Sequence, residues 1–250
     1  MAIVITGSRG CIGTALRSAL QVDYEEVDYV LGCDHADIAN KKGTLIYLSS
    51  WSNQHESMLR PDKYIQNNLT ALAKILVNNS FDRVIFPSSP AIYDRFGNLN
   101  PSSIYGWTKL VGESLVKMYC QKAWIFRLSN VYGSNDRRSV FYHLAESKKN
   151  RRVFTIYRSE NMIRDYISSD QVAKLIVEAL EGSVETGTYN VGTGKGINME
   201  ELLTNLCIKY DIDYQYVDRP DGVMDGFISQ DSLIKLGAAR VEQDWEKIYL

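Results

Sequence analysis

The sequence has few cysteines, few histidines and little excess charge. Its 250 residues include four cysteines and three histidines, and neither type shows the paired spacing of a zinc site or the density of a disulfide framework. The formal net charge of −2 gives no reason to expect a nucleic acid or an anionic membrane as partner. No apolar stretch reaches the roughly 18 residues of a membrane span. We therefore expect a cytoplasmic protein without a metal site.

Hydrophobic residues make up 45% of the chain, enough for a sizeable core, and their short runs alternate with helical patterns. The short runs predict strands at residues 2–6, 28–32, 44–50, 83–89 and 123–133. Apolar stripes at helical spacing predict helices at 63–79 and 105–120. This alternation predicts an α/β fold of the Rossmann type, a doubly wound and mostly parallel sheet with a small C-terminal substrate lobe.

A glycine-rich loop follows the first predicted strand and precedes the first predicted helix. Its glycines have the spacing G-x-x-G-x-x-G, which allows a tight turn, lets the backbone approach a pyrophosphate and brings the helix close to the sheet. The N–H groups at the start of the helix would bind the phosphates. The sequence therefore predicts a dinucleotide site formed by Gly7, Arg9, Gly10, Cys11, Ile12 and Gly13.

The chain divides into a dinucleotide-binding domain and a smaller lobe. Residues 1–133, with 163–193 returning to them, carry the strands and helices of the Rossmann domain. Residues 134–162 and 194–250 have more charges, more turn residues and less regular periodicity. We expect the substrate to bind between this lobe and the carboxyl ends of the strands.

The choice between the two nicotinamide dinucleotides depends on charge near the adenosine ribose. Asp34, after the second predicted strand, would hold the ribose hydroxyls of NAD(H) and repel the extra phosphate of NADP(H). Arg9 could instead pair with that phosphate. The sequence leaves both open and slightly favours NADP(H).

Ser89, Tyr105 and Lys109 form the candidate catalytic set. The tyrosine and the lysine are about one helical turn apart, so they share a helix face, and an ammonium beside a phenol is expected to lower the pKa of the phenol. Ser89 ends a predicted parallel strand, where open α/β sheets place their ligands. This set suits the interconversion of an alcohol and a carbonyl, with Tyr105 exchanging the proton and Ser89 holding the oxygen.

With these residues, the chain resembles the extended short-chain dehydrogenase/reductase family, whose members include nucleotide-sugar epimerases, dehydratases and reductases. "ADI" at 36–38 is similar to the family's adenine-contacting turn, and "YLSSWSNQHESMLRPDKYIQNN" to its segment beneath the cofactor. "FRLSNVYG" and "MIRDYISSDQVAK" match segments that reach the sugar nucleotide. The resemblance implies cofactor contacts for Asp37, Ile38, Ser49, Ser50 and Asn67, and substrate contacts for Ser89, Asn130 and Arg164. From sequence, Arg164 could also be a structural partner of Asp165 or Asp170.

Within that family, the chain looks most like the GDP-fucose synthase type of 4-keto-6-deoxyhexose reductase. The internal arginine of "GSRGCIG" and the segment "RPDGVMDGFISQDSLIKLG" carry this likeness, which implies a substrate contact for Arg219. The cysteine and histidine that this type uses for epimerisation are replaced by Ala91 and Ser139. The acidic pair of the sugar 4,6-dehydratases is replaced by Pro90 and Ala91, which argues against dehydration.

The sequence therefore predicts an NAD(P)H-dependent reductase of a nucleotide-linked 4-keto sugar. The alternative is an NAD-dependent nucleotide-sugar 4-epimerase, which would use the same three residues. A non-catalytic dinucleotide-binding protein would not need a tyrosine paired with a lysine. The helices at 63–79 and 105–120 either bury their stripes against the sheet or form a homodimer, as the corresponding helices do in relatives.

Overall fold

The computed structural model describes residues 2–20, 27–30, 40–158, 162–218 and 233–250, the segment 27–30 by its backbone only. The helices in these ranges, in chain order, are α1 (Cys11–Leu20), α2 (Gln54–Leu59), α3 (Pro61–Ile65), α4 (Ala71–Val77), α5 (Ile104–Tyr119), α6 (Val140–Asn150), α7 (Ser169–Leu180), α8 (Met199–Lys209) and α9 (Val241–Tyr249). A π-helical turn, Gln66–Thr70, joins α3 to α4.

The strands of the same ranges are β1 (Ile3–Thr6), β2 (Val27–Val30), β3 (Lys42–Tyr47), β4 (Ser80–Ser88), β5 (Lys122–Leu128), β6 (Asn130–Tyr132), β7 (Phe154–Arg158), β8 (Ile163–Arg164), β9 (Tyr166–Ser168), β10 (Gly187–Gly192), β11 (Ile197–Asn198), β12 (Tyr214–Asp218) and β13 (Leu233–Lys235). Seven of them form one parallel sheet in the order β13-β10-β5-β4-β3-β1-β2. The predicted Rossmann-type α/β fold is confirmed.

Helices cover both faces of this sheet. On one face α1 and α7 bury apolar side chains against β1 and β5, and on the other α4 and α5 do so against β3 and β4. All four residues of β1 are buried, which is why its sequence is a continuous apolar run rather than an alternating one. Because helices cover both faces of the sheet, the carboxyl ends of its strands remain open toward the polar loops.

A second apolar cluster lies outside the seven-stranded sheet. It joins α6, α8 and α9 with short strands, and its largest buried side chains include Phe141, Tyr132 and Trp245. The Trp245 ring lies 4.4 Å from that of Tyr210, and its Nε1 donates to the carbonyl of Phe141. Residues of the two segments predicted as the substrate lobe supply most of this cluster.

The structure differs from the expected organisation at two places. The single strand predicted over 123–133 is two strands, because the chain changes partners at Ser129: its N–H donates to Val191, and the next N–H, of Asn130, donates to Asp165. The predicted lobe segment 194–250 also returns to the main sheet, where Leu233–Lys235 pairs with β10 as its outermost strand. Strand partners are long-range contacts, so hydrophobic runs alone do not reveal them.

Candidate active site

The glycine loop lies between β1 and the first turn of α1. Gly7 has φ +70°, a conformation that suits glycine, and a Cβ there would lie 2.8 Å from the backbone carbon of Leu48. A Cβ on Gly13 would collide with the carbonyl oxygen of Gly7. Both positions therefore need glycine. The first turn of α1 has no acidic side chain, which leaves its N–H groups suited to an anion.

The cleft in front of this loop has a volume of about 1380 Å³. A pocket for one drug-sized ligand measures roughly 300–1,000 Å³, so the cleft has room for a dinucleotide and a second ligand. Among the predicted site residues with described side chains, those that line it are Gly7, Arg9, Gly10, Cys11, Ile12, Gly13, Ser49, Ser50, Ser89, Tyr105, Lys109, Asn130 and Arg164. Asp34, Asp37, Ile38 and Arg219 lie outside the described residues.

Two buried hydroxyls near the cleft support the fit of a polar cofactor. Within the described part of the chain, Ser8 Oγ in the glycine loop and Ser129 Oγ in the cleft lining have no hydrogen-bond partner. A buried hydroxyl without a partner is costly, and a bound dinucleotide offers ribose, phosphate and amide groups. The carbonyl of Arg9 already has one partner, the side chain of Asn135 at 2.6 Å. The loop after β6 thus contacts the glycine loop directly.

The structure brings Ser89, Tyr105 and Lys109 together at the carboxyl end of β4. Ser89 is the N-cap of a 3₁₀ turn, where its Oγ accepts from the N–H of Ala91 at 3.2 Å, and its side chain hydrogen-bonds to Tyr105. Lys109 Nζ lies 6.0 Å from the centroid of the Tyr105 ring and donates to the Pro87 carbonyl at 2.8 Å. Tyr105 is 7% exposed and Lys109 5% exposed, so water is largely excluded from these two, while Ser89 is half-buried.

Burial dominates the protonation of this set. It lowers the pKa of Lys109 from 10.5 to about 8, while the charge of Glu113 acts in the opposite direction. Burial also raises the pKa of Tyr105, and the hydrogen bond from Ser89 partly offsets this rise. The expected lowering of the Tyr105 pKa by Lys109 is therefore not found, because both groups are desolvated and the ammonium donates to the Pro87 carbonyl instead.

Backbone contacts fix the start of α5 against its neighbours. Ser103 caps the helix by accepting from the N–H of Gly106, and the N–H of Tyr105 donates to Ser57 Oγ of α2 at 3.1 Å. A Cβ on Gly106 would collide with the Ala91 carbonyl, so this glycine lets α5 approach the loop that carries Ser89. The chain between Ser89 and Tyr105 thus turns back and packs against the start of α5.

Asn68, rather than the predicted Asn67, faces the interior. The Asn68 side chain bonds to both the N–H and the carbonyl of Trp51, at 2.8 and 3.0 Å, and to Thr108 Oγ1 at 3.0 Å. Asn67 donates to the carbonyl of Lys63 and does not line the cleft. The structure therefore does not bring Asn67 to the predicted cofactor site, and Asn68, which does not line the cleft either, holds the backbone of Trp51. In the sequence, the only sign of this position was the pair of adjacent asparagines, Asn67 and Asn68.

Asn130 and Arg164, two of the residues expected to contact substrate, also line the cleft. Asn130 donates its side-chain N–H to the Asp165 carbonyl at 3.1 Å. The Asp165 carboxylate accepts from Thr193 and Gly194. Ser139, at the expected histidine position, caps α6 by accepting from the N–H of Tyr142. Sequence reasoning missed several basic side chains that line the cleft together with Arg9 and Arg164, namely Arg95, Arg137, Arg138 and Lys195.

The comparisons with known proteins identify the family. Residues 3–192 match the NAD dependent epimerase/dehydratase family. The chain belongs to this family. The family's description names NAD, so the slight preference for NADP(H) finds no support.

Curated relatives and solved structures agree with this membership. A UDP-glucose 4-epimerase of Halalkalibacterium halodurans is 25% identical, with 81% of this chain and 78% of the relative covered. A dTDP-L-rhamnose 4-epimerase of Burkholderia thailandensis is 29% identical over 44% of this chain. The chain spans less than half the length of the first two curated relatives it matches, 48% and 33%.

The fold resembles that of solved epimerases over nearly its whole length. A UDP-N-acetylglucosamine 4-epimerase from Methanobrevibacter ruminantium, in complex with UDP-N-acetylmuramic acid, has a TM-score of 0.79 at 22% identity, covering 99% of this chain and 95% of that one. At these identities the likeness concerns the fold. The specific resemblance to GDP-fucose synthase-type reductases is not supported, because the curated relatives named above are 4-epimerases.

No helix in the described part of the chain is both long and apolar enough to cross a membrane.

Proposed function

We propose that this protein is an NAD-dependent epimerase that inverts C4 of a nucleotide-linked sugar. The observation that carries the proposal is the hydrogen-bonded pair of Ser89 and Tyr105 beside Lys109, in the same cleft as the glycine loop. The 4-epimerase activity of relatives such as the Halalkalibacterium halodurans protein supports the choice of reaction. The acidic pair expected for dehydration is missing, since Pro90 and Ala91 follow the serine.

In this reaction Tyr105 would remove the proton of the C4 hydroxyl and later return it to the same oxygen, after the sugar has turned so that C4 presents its other face. Ser89 holds the same oxygen through a hydrogen bond, and Lys109 stabilises the phenolate once the cleft is filled. The chemistry supplied by bound NAD is reversible hydride transfer, so the cycle consumes no cofactor. General acid–base assistance of this kind contributes about 10²- to 10⁴-fold in rate.

Basic side chains that line the cleft would bind the diphosphate of the substrate. The arginine fork matches phosphate oxygens in pairs, and Arg164 faces the cleft from β8. Asn130, on the neighbouring strand β6, lies in the same lining. These residues therefore remain the proposed substrate contacts, and neither of them is predicted to exchange a proton.

The proposal includes a homodimer. Trp107, Val111 and Met118 of α5 are 47%, 40% and 79% exposed, and their spacing places them on one outer face of the helix. Ile65 of α3 is also exposed. The predicted stripes are therefore only partly buried against the sheet, which supports a second copy as the partner that covers the outer face.

The test is turnover of UDP-linked and dTDP-linked hexoses by the purified protein with added NAD, followed by NMR of the sugar. The expected result is interconversion of C4 epimers without a net change of absorbance at 340 nm. Tyr105→Phe should lose at least 10²-fold in kcat, whereas Tyr119→Phe, at the exposed end of the same helix, should retain it. Net NADPH oxidation with a 4-keto sugar would instead support the reductase predicted from the sequence. No turnover of either kind, with cofactor bound, would favour a non-catalytic binding protein.

A further inference from the structure

A buried ion pair lies directly behind the catalytic set. Glu113 of α5 is 2% exposed, and the guanidinium of Arg127 of β5 binds both of its carboxylate oxygens, Nε to Oε1 at 2.9 Å and NH2 to Oε2 at 2.7 Å. This two-bond geometry fixes the position of the carboxylate. Neither residue lines the cleft, and the proposed reaction does not use either as a proton donor or acceptor.

The ion pair is connected to the strand end that carries the catalytic serine. Ser88 Oγ donates to Glu113 Oε1 at 2.6 Å, and Ser88 immediately precedes Ser89. On its other side, Arg127 NH1 donates to the hydroxyl of Tyr93, which donates to Asn190 Oδ1 at 2.9 Å. Glu113 thus joins α5, the source of Tyr105, to β4.

The same carboxylate lies one helical turn beyond Lys109, on the same face of α5. Around Lys109, α5 supplies Tyr105 and Glu113, β4 supplies the Pro87 carbonyl and the Phe86 ring at 5.0 Å, and β5 supplies Arg127 behind Glu113. Glu113 is the negative charge in this set. Its effect is to raise the Lys109 pKa, against a larger lowering by burial.

We propose that Glu113 is a positioning residue for the catalytic set: it keeps the buried Lys109 ammonium charged at neutral pH, and it ties the end of β4 to α5. The expected effect of Glu113 on turnover rests on the proposed function. Its effect on the charge of Lys109 does not, because that effect is present in the protein without substrate.

The experiment separates the charge from the hydrogen bond. Glu113→Gln removes the charge and keeps an oxygen that accepts from Ser88, whereas Ser88→Ala keeps the charge and removes the hydrogen bond. The Lys109 titration is followed in each by NMR of protein labelled with ¹³C at lysine Cε, and Lys109→Met identifies its signal. We expect a midpoint near pH 8 in the unaltered protein and in Ser88→Ala. In Glu113→Gln the midpoint should fall by about one unit, a tenfold weaker hold on the proton.

Removing one partner of a buried ion pair can unfold a protein. A second variant is therefore measured in case Glu113→Gln does not fold. Glu113→Gln with Arg127→Met removes both charges, and this exchange of a buried pair for neutral residues is often tolerated. Its Lys109 midpoint should also fall. An unchanged midpoint in Glu113→Gln, or in the double variant if the single one does not fold, overturns the proposal.

The pH profile of kcat gives a second readout in the folded variants. Loss of the ammonium at lower pH should move the alkaline limb of the profile to lower pH in Glu113→Gln and leave it in place in Ser88→Ala. If the unaltered protein turns over no sugar nucleotide, the proposed function fails, while the NMR midpoints still decide the role of Glu113.

Discussion

Lys109 should destabilise the folded protein at neutral pH, and replacing it should show this. Its ammonium is buried, with a pKa lowered from 10.5 to about 8. Because the unfolded chain binds the proton more tightly, this cost is fully present below pH 8 and decreases as the pH rises toward 10.5. One pKa unit corresponds to about 1.4 kcal/mol, so the cost is about 3 kcal/mol at pH 7 and about half of that at pH 9.5.

Lys109→Met removes the charge and keeps most of the side-chain volume. The variant also loses the hydrogen bond to the Pro87 carbonyl, which changes its stability by an offset independent of pH. The difference in free energy of unfolding between the variant and the unaltered protein should therefore shift by about 2 kcal/mol between pH 7 and pH 9.5, in favour of the unaltered protein at the higher pH.

Urea unfolding of the cofactor-free protein at several pH values measures this difference. Lys117→Met is the matched control, because it makes the same substitution on an exposed face of the same helix. Its difference from the unaltered protein should stay within about 0.5 kcal/mol over the same range. A flat difference for Lys109→Met would refute the reasoning that burial depresses this pKa.

Three further outcomes are expected. Asn68→Ala leaves backbone groups of Trp51 without their partner and should cost about 1–3 kcal/mol of stability by thermal or urea unfolding, while Asn67→Ala should be nearly neutral; equal effects would contradict the assigned orientation. Gly13→Ala should abolish NAD binding in calorimetry, because its Cβ collides with the glycine loop, and unchanged affinity would refute that role. Val111→Arg, on the exposed face of α5, should convert a dimer to a monomer in light scattering, and a monomeric parent protein would refute the dimer.

Local sequence signals were sufficient for the first strand, the spacing of the glycine loop and the shared helix face of Tyr105 and Lys109. β1 is a continuous apolar run because helices cover both faces of the sheet. Tyr105 and Lys109 share a helix face through spacing alone. Each of these signals lies within a few residues of sequence, although the contact that requires glycine at Gly7 is with the distant Leu48.

Features that depend on tertiary pairing could not be read in this way. Glu113 and Arg127 are on different elements, and nothing in either segment indicates that they meet. Asn68 faces inward because of a π-helical turn, which ordinary helical periodicity does not reveal. The partner exchange at Ser129 is fixed by hydrogen bonds to two distant segments. This difference between local and tertiary features is expected, because residue spacing describes one helix or strand at a time and not the contacts between them.

The strand order explains where the candidate site lies in the sheet. In the six-stranded dinucleotide-binding order 3-2-1-4-5-6, a third strand lies outside the second, whereas here β2 is the outermost strand of the described sheet on that side. β2 and β3 pair with opposite sides of β1. The strand order therefore reverses between β1 and β3, and ligands of open α/β sheets bind at that point. Gly7 and Ser49 follow these two strands and line the cleft, so the candidate site lies at this reversal of the strand order.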